Sequence, residues 1–255
     1  MGTAGARFVV SKQLRSSAGT WCFFQGKHIL IDPGPGTLKS CFLDFPVLNP
    51  EDLDAVILTH RHLDHSTDVN VIIEAMTQGT FNKRGYLFAP SDALEGFEPV
   101  VFQHVRQAVE NLQLLKEKGS YSIDNLYFET PFRHNHSAET YGLKFILDQT
   151  CISFVVDTLF SDDLIKHYSG TDLLVMNVML VEPLSCKEIK HLDLESATKL
   201  IDGIQPRMAV MTHFGLSMLE HEPELLAREL SDKTGVKVVA AADGLTIELK
   251  KDLFS

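Results

Sequence analysis

The chain has 255 residues, with 34 Asp and Glu against 23 Lys and Arg, a formal charge of -11, and 44% hydrophobic residues. That is ample apolar material for a large core, which excludes a disordered or fibrous chain, and the acidic balance disfavours a broad electrostatic grip on nucleic acid. A single domain over 1–255 is expected, with no membrane span, because apolar runs such as Ala55-Val56-Ile57-Leu58 fall far below the ~20 residues that cross a bilayer.

Met1 to Lys12 lacks the pattern of a secretory leader, and four widely spaced cysteines (Cys22, Cys41, Cys151, Cys186) suit a reducing cytoplasm and read as small buried side chains. Phe8-Val9-Val10, Trp21-Cys22-Phe23-Phe24 and His28-Ile29-Leu30-Ile31 read as consecutive strands, the last stopped by the turn Asp32-Pro33-Gly34-Pro35-Gly36. Asp54 to Thr59 is another strand. From Ser66 the period turns helical, with Val69, Ile72, Ile73 and Met76 on one stripe and Ser66 or Thr67 as N-cap.

Residues 79–120 read as an insertion able to act as a lid: a turn-rich stretch to Pro99, then a helix with Val105, Ala108, Val109 and Leu112 on one face, ended by Gly119. Within it, Lys83-Arg84 read as solvated cations sooner than as a phosphate contact, and Phe81, Tyr86, Phe88 and Phe97 as rings that pack the lid down sooner than line a substrate mouth. Strands follow at Tyr141 to Phe145, Cys151 to Val156, Leu173 to Val178 and Met208 to Met211. Helices are expected near Leu194 to Ile204 and Pro223 to Leu230, and closing strands near Lys237 to Ala241 and Leu245 to Leu249. Two runs of mostly antiparallel strands, each followed by helices, imply an α/β or α+β sandwich with helices outside two sheets.

Eleven histidines are the feature of this composition that asks for chemistry. The densest cluster, His60-Arg61-His62-Leu63-Asp64-His65, follows a strand directly, where functional loops concentrate. Two imidazoles at i and i+2 on an extended segment point to one side, and the Asp64-His65 pair turns further donors toward the same space. Four such side chains in six residues serve two adjacent cations. Neutral imidazole and carboxylate are donors that zinc prefers, and catalytic sites keep a position for water, which the metal makes acidic. Manganese or iron fits the same donors.

His60-x-His62-x-Asp64-His65 after a hydrophobic strand resembles the signature of the metallo-β-lactamase superfamily, and the resemblance runs from about Phe23 to Leu249. It implies a four-layer αβ/βα sandwich that binds one or two metals at the sheet edges. Ile29 to Gly36 looks like the family's first motif, with Asp32 buttressing the metal loop. His136, ahead of Gly142, resembles the third-motif ligand, with His134 its rival. Asp157 resembles the carboxylate that bridges both metals, and His213 the fifth-motif ligand. By that correspondence one cation takes His60, His62 and His136, the other Asp64, His65 and His213, with Asp157 shared.

His191, opening His191-Leu192-Asp193-Leu194-Glu195, resembles a histidine of the phosphodiesterase branch, which includes the tRNA 3′-processing ribonuclease. In that branch it faces the scissile phosphate, where a protonated imidazole stabilises charge and protonates the leaving oxygen. Asp193 reads as the N-cap of the following helix. The resemblance thus implies a metal-dependent hydrolase, a phosphodiesterase acting through a metal-bridging hydroxide, with Asp64 and His191 as its catalytic groups. The chain shows no Gly/Pro-rich arm of the ribonuclease kind, so a small-molecule diester is expected rather than a large nucleic acid.

Fold alone does not decide the substrate. A lactonase or thioesterase would use the same metals without needing His191. A diiron redox protein is disfavoured, because those relatives carry Glu where His62 stands. A non-catalytic metal-containing binding protein is the remaining alternative.

Overall fold

In a computed structural model of the chain, residues 1–249 are described apart from 6, 18, 44–46 and 185–188. Five strands form the first sheet in sequence order: β1 Thr20–Phe24, β2 Lys27–Ile31, β3 Ala55–Ile57, β4 Arg84–Ala89 and β5 Val109–Leu114. The second sheet is built from β6 Gly119–Ile123, β7 Leu126–Thr130, β8 Leu143–Leu147, β9 Thr150–Val155, β10 Leu173–Leu180, β11 Leu192–Asp193, β12 Met208–Thr212 and β13 Lys237–Ala240. Its order is β13-β12-β10-β9-β8-β7-β6, with β11 added alongside β10.

Period-two alternation decides which layer each residue joins. Ile29, Ile31, Ala55, Ile57 and Phe88 of the first sheet face Phe145, Ile152, Phe154, Leu173, Met208 and Val210 of the second, forming the core between sheets. The intervening Leu30, Val56, Leu58 and Leu87 turn outward onto Val69, Ile72, Ile73 and Met76 of the helix Val69–Met76. On the far side, Leu174, Met176, Ala209 and Met211 pack against Ala197, Leu200 and Ile201 of the helix Leu194–Ile204 and against Leu226 and Leu230 of the helix Pro223–Thr234. Helix, sheet, sheet and helix make the four layers.

The expected preponderance of antiparallel pairing is corrected. β2-β3-β4-β5 and β9-β10-β12-β13 are parallel, and among the described strands antiparallel pairing is confined to β1-β2 and the β6-β7-β8-β9 meander. Helices crossing between strands, such as Val69–Met76 between β3 and β4, return the chain in the same direction. The loops that leave β2, β3, β9 and β12 therefore emerge at one edge of each sheet, and they carry Asp32, His60 to His65, Asp157 and His213.

Other expectations also change. Phe8–Ser11 is a short helix, Leu245 to Leu249 is not a strand, and the N-cap of Val69–Met76 is Asp68. Residues 79–120 do not stand apart as a lid, because they supply β4 and β5 of the first sheet. The Val105 to Leu112 stripe is split between the helix Gln103–Ala108 and β5. Phe88 is buried as expected, whereas Phe81 and Phe97 are 94% and 98% exposed. Arg84 is engaged by the Glu51 carbonyl oxygen. Cys22 and Cys41 are buried and Cys151 half-buried, while Cys186 lies outside the described residues. Among the described residues, no helix is long and apolar enough to cross a membrane.

Candidate metal centre

The predicted donors converge where the two sheet edges meet. His60, His62, His136 and Asp157 each bring a donor atom within 4.8 Å of the others, and so do Asp64, His65 and His213. His136 Nε2 lies 3.0 Å from His62 Nδ1 and 3.8 Å from Asp157 Oδ2. His65 Nε2 lies 3.0 Å from His213 Nε2 and 3.3 Å from Asp64 Oδ2, which is itself 3.2 Å from His213 Nε2. Asp157 sits between the groups, with Oδ2 3.6 Å from both His60 Nε2 and His65 Nε2 and Oδ1 3.6 Å from His213 Nδ1. Donors at ~2.0 to 2.2 Å from one tetrahedral cation lie about 3.3 to 3.6 Å apart, and the separations here scatter around that range, from 3.0 to 3.8 Å.

His134 goes elsewhere: it is buried with Nε2 2.9 Å from the Tyr168 hydroxyl. Of the two rivals, His136 is the one that enters the cluster.

Partners on the outer ring nitrogens turn the donors inward. Thr59 Oγ1 donates to Asp32 Oδ2 at 2.6 Å, so it accepts from His60 Nδ1–H at 3.0 Å and leaves His60 Nε2 with a lone pair aimed at Asp157. His65 Nδ1–H donates to Asp32 Oδ2 at 3.0 Å, and His136 Nδ1–H to the Lys190 carbonyl at 2.9 Å. His62 Nε2 lies 3.3 Å from Ser137 Oγ, and Asp157 Oδ1 accepts from Asn177 Nδ2 at 2.8 Å. Asp32 is thus a supporting carboxylate, as expected. Its backbone is left-handed, at φ 51°, which bends the chain after β2 toward the loop at Thr59.

Sequence reasoning missed Thr59, Ser137, Asn177 and the Lys190 carbonyl. Asn177 carried the one available signal, as a lone amide inside the apolar run Leu173–Leu180.

Electrostatics complete the case for a cation. Burial holds His60 well below the ordinary histidine value, lowers His136, and brings His62 and His191 down to about 4, so these rings are neutral near pH 7 and ready to ligate. Burial opposes charge on the carboxylates and on His65, but their mutual attraction prevails. Asp64 and Asp157 are held well below the usual carboxylate range, and His65 well above the usual histidine range, chiefly by Asp64 and Asp157. His60 Nε2, His191 Nδ1 and His213 Nδ1 are buried without hydrogen-bond partners, and each lies 3.6 Å from an Asp157 oxygen. For His60, whose Nε2 carries the lone pair, facing a carboxylate at that distance is favourable only with positive charge between them. The donor set fits divalent cations.

His191 joins the cluster from the loop before β11, its ring 5.1 Å from that of His136 and 5.6 Å from that of His213. Asp193 behind it caps the helix Leu194–Ile204, accepting from Ser196 N–H at 2.7 Å. In the substrate-free chain, burial holds the His191 ring below the ordinary histidine value, to about 4.

Residues 27–214 match the family described as the beta-lactamase superfamily domain. The chain is 28% identical over 258 residues to the uncharacterized protein MJ1374 of Methanocaldococcus jannaschii, covering 98% of this chain and 93% of that protein. Among solved structures, the metallo-beta-lactamase fold protein YhfI from Bacillus subtilis aligns with a TM-score of 0.77 at 18% identity, covering 96% of this chain and 95% of that one. A diphosphatase from the PhnP family aligns with a TM-score of 0.71, also at 18% identity, covering 98% and 96%. At these identities the structural likenesses speak for the fold, which is the metallo-β-lactamase sandwich.

Proposed function

The chain belongs to the β-lactamase superfamily, and from that premise we propose that it is a metal-dependent hydrolase, a phosphodiesterase acting on a small diester in the cytoplasm. Two divalent cations, zinc first by the chemistry of the donors, would be held by His60, His62 and His136 on one side and Asp64, His65 and His213 on the other, with Asp157 shared. Bound there, they supply Lewis acidity and make a coordinated water acidic near neutral pH.

The observation that carries the phosphodiester reading is His191. Its Nδ1 is buried, has no hydrogen-bond partner and lies 3.6 Å from Asp157 Oδ2, while its ring leans on His136 and His213, one ligand from each set. A neutral imidazole there donates a hydrogen bond to a substrate oxygen lying over the cluster, and the developing charge of a phosphoryl transition state is what such a donor stabilises. The likeness to the PhnP-family diphosphatase agrees with a phosphoryl substrate. Asp64, ionised and beside His65 and His213, would serve as a ligand, and a carboxylate held so far below its usual range is a weak proton acceptor. With a net charge of -11, the chain favours a small diester over a long nucleic acid.

The test is hydrolysis of bis(p-nitrophenyl) phosphate, a lactone and a thioester by protein whose metal content has been counted. His62→Ala is expected to lose metal and activity together. His191→Ala is expected to keep both metals and lose roughly 10²- to 10³-fold in kcat on the diester. Metal loss in His191→Ala would make His191 a ligand, and unchanged turnover of a carbon ester by that variant would replace the phosphodiester reading.

A further inference from the structure

His213 stands in the left-handed backbone region, at φ 62°, where a residue with a Cβ persists only when its surroundings over-determine it. Those surroundings come from the other end of the chain. Gly5 N–H donates to the Phe214 carbonyl at 2.9 Å, and Phe214 N–H donates to the Thr3 carbonyl at 2.8 Å, a short parallel pairing of Ala4 with Phe214. The approach is so close that a Cβ on Gly5 would lie 2.5 Å from the His213 carbonyl oxygen and 3.1 Å from its Nδ1. Only glycine fits there.

The segment has its own anchor. Asp243 Oδ1 accepts from Thr3 N–H at 3.0 Å and Thr3 Oγ1 at 2.7 Å, and its Oδ2 accepts from Ser16 N–H at 2.6 Å. Gly244 N–H donates to the Met1 carbonyl at 2.9 Å, so the turn at 243–244 grips the segment from both sides.

We infer that residues 3–5, anchored by Asp243, are the positioning element for His213 and thereby set the affinity of one cation, the one held by Asp64, His65 and His213. This rests on the metal-binding reading above. Gly5, Thr3 and Asp243 act through the His213 backbone rather than on any reacting atom. While the segment is docked, His213 Nε2 stays 3.0 Å from His65 Nε2 and 3.2 Å from Asp64 Oδ2. When it is displaced, φ relaxes toward negative values and carries the imidazole away from both. His60, His62 and His136 come from other loops and keep their geometry.

The experiment is zinc titration of the full chain against a chromophoric chelator, with bound metal counted by mass spectrometry, for the wild type, Gly5→Ala and Asp243→Ala. The wild type is expected to bind two zinc ions. Each variant is expected to bind one of them as the wild type does and the other roughly ten- to hundredfold more weakly. A purely structural role would lower the melting midpoint of the metal-free protein and leave both affinities of the folded variant unchanged. That result overturns the inference, as does equal weakening of both ions. Should Gly5→Ala fail to fold, Asp243→Ala, at an exposed position, decides the matter alone. A wild type that takes up no zinc sinks the metal reading itself and this inference with it, which is a separate and recognisable failure.

Discussion

A single carboxylate organises both halves of the cluster. Asp32 Oδ2 accepts from His65 Nδ1–H directly and from the Thr59 hydroxyl, which in turn accepts from His60 Nδ1–H. His60 and His65 belong to different cation sets, so their tautomers are fixed by the same acid. Thr59→Val removes the relay at nearly constant volume and leaves a buried His60 N–H without an acceptor. We expect it to cost about 1 to 3 kcal/mol of stability and to weaken cation binding roughly ten- to hundredfold, with Thr59→Ser restoring both; thermal unfolding and zinc titration read these out. A Thr59→Val protein with wild-type zinc affinity would show that the relay orients nothing.

His60, His62, Asp64 and His65 are legible in the sequence because one stretch of chain delivers all four. Asp157, His136, His191 and His213 become legible only through the family resemblance, each as one polar residue near a strand end. Ser137 and the Lys190 carbonyl are silent in sequence, since they meet His62 and His136 across separations of 75 and 54 residues.

Between elements, the loop after β3 is tied to the loop carrying His136 by a clasp at the end of β4. Asp92, in the short helix Ser91–Leu94, accepts from Glu139 N–H at 3.0 Å and pairs with Arg61 Nε at 3.2 Å, while Arg61 Nη1 reaches Glu98 at 3.0 Å. Glu139 answers by accepting from Asp92 N–H at 3.3 Å and from the Ser91 hydroxyl. Arg61 sits between His60 and His62, and Glu139 lies three residues beyond His136, so the clasp helps set the 3.0 Å approach of His62 to His136. The ion pairs are partly exposed, and we expect Asp92→Ala to cost only about 1 kcal/mol of stability. Its larger effect is on geometry, where a displacement of ~1 Å lowers kcat by up to about 10²-fold. Asp92→Asn, which keeps an acceptor for Glu139 N–H, is expected to retain most of the activity. Equal activity of Asp92→Ala and wild type would remove the clasp from the account.

The same scale explains where sequence patterning succeeds. β2 and β3 read as short apolar runs buried on both faces, and the helix Val69–Met76 carries a clean period of 3.6, each filled by buried side chains. Val105 to Leu112 keeps helical spacing across a junction at which the helix stops and β5 begins, because pairing with β4 overrides the local pattern. Phe8-Val9-Val10 is too short for any period to discriminate.

At the scale of the molecule, the site is a seam. His60, His62, Asp64 and His65 leave the first sheet, Asp157 and His213 leave the second, and the carboxylates Asp64 and Asp157 are buried among them. Bound cations would join the two sheets and neutralise buried charge in a chain whose net charge is -11, so the folded state should depend on metal well beyond the ligands themselves. With free zinc at a thousand times its Kd, one site contributes about 4 kcal/mol. At roughly 2 to 4 °C per kcal/mol for a chain of this size, stripping that ion should lower the melting midpoint by about 10 °C. The midpoint measured in zinc buffers should climb with the logarithm of free zinc, and His62→Ala should flatten that climb by removing a ligand from one set. A midpoint indifferent to free zinc over several decades would mean that the two sheets hold together without help from the seam, and the cluster would then have to be read as something other than a metal site.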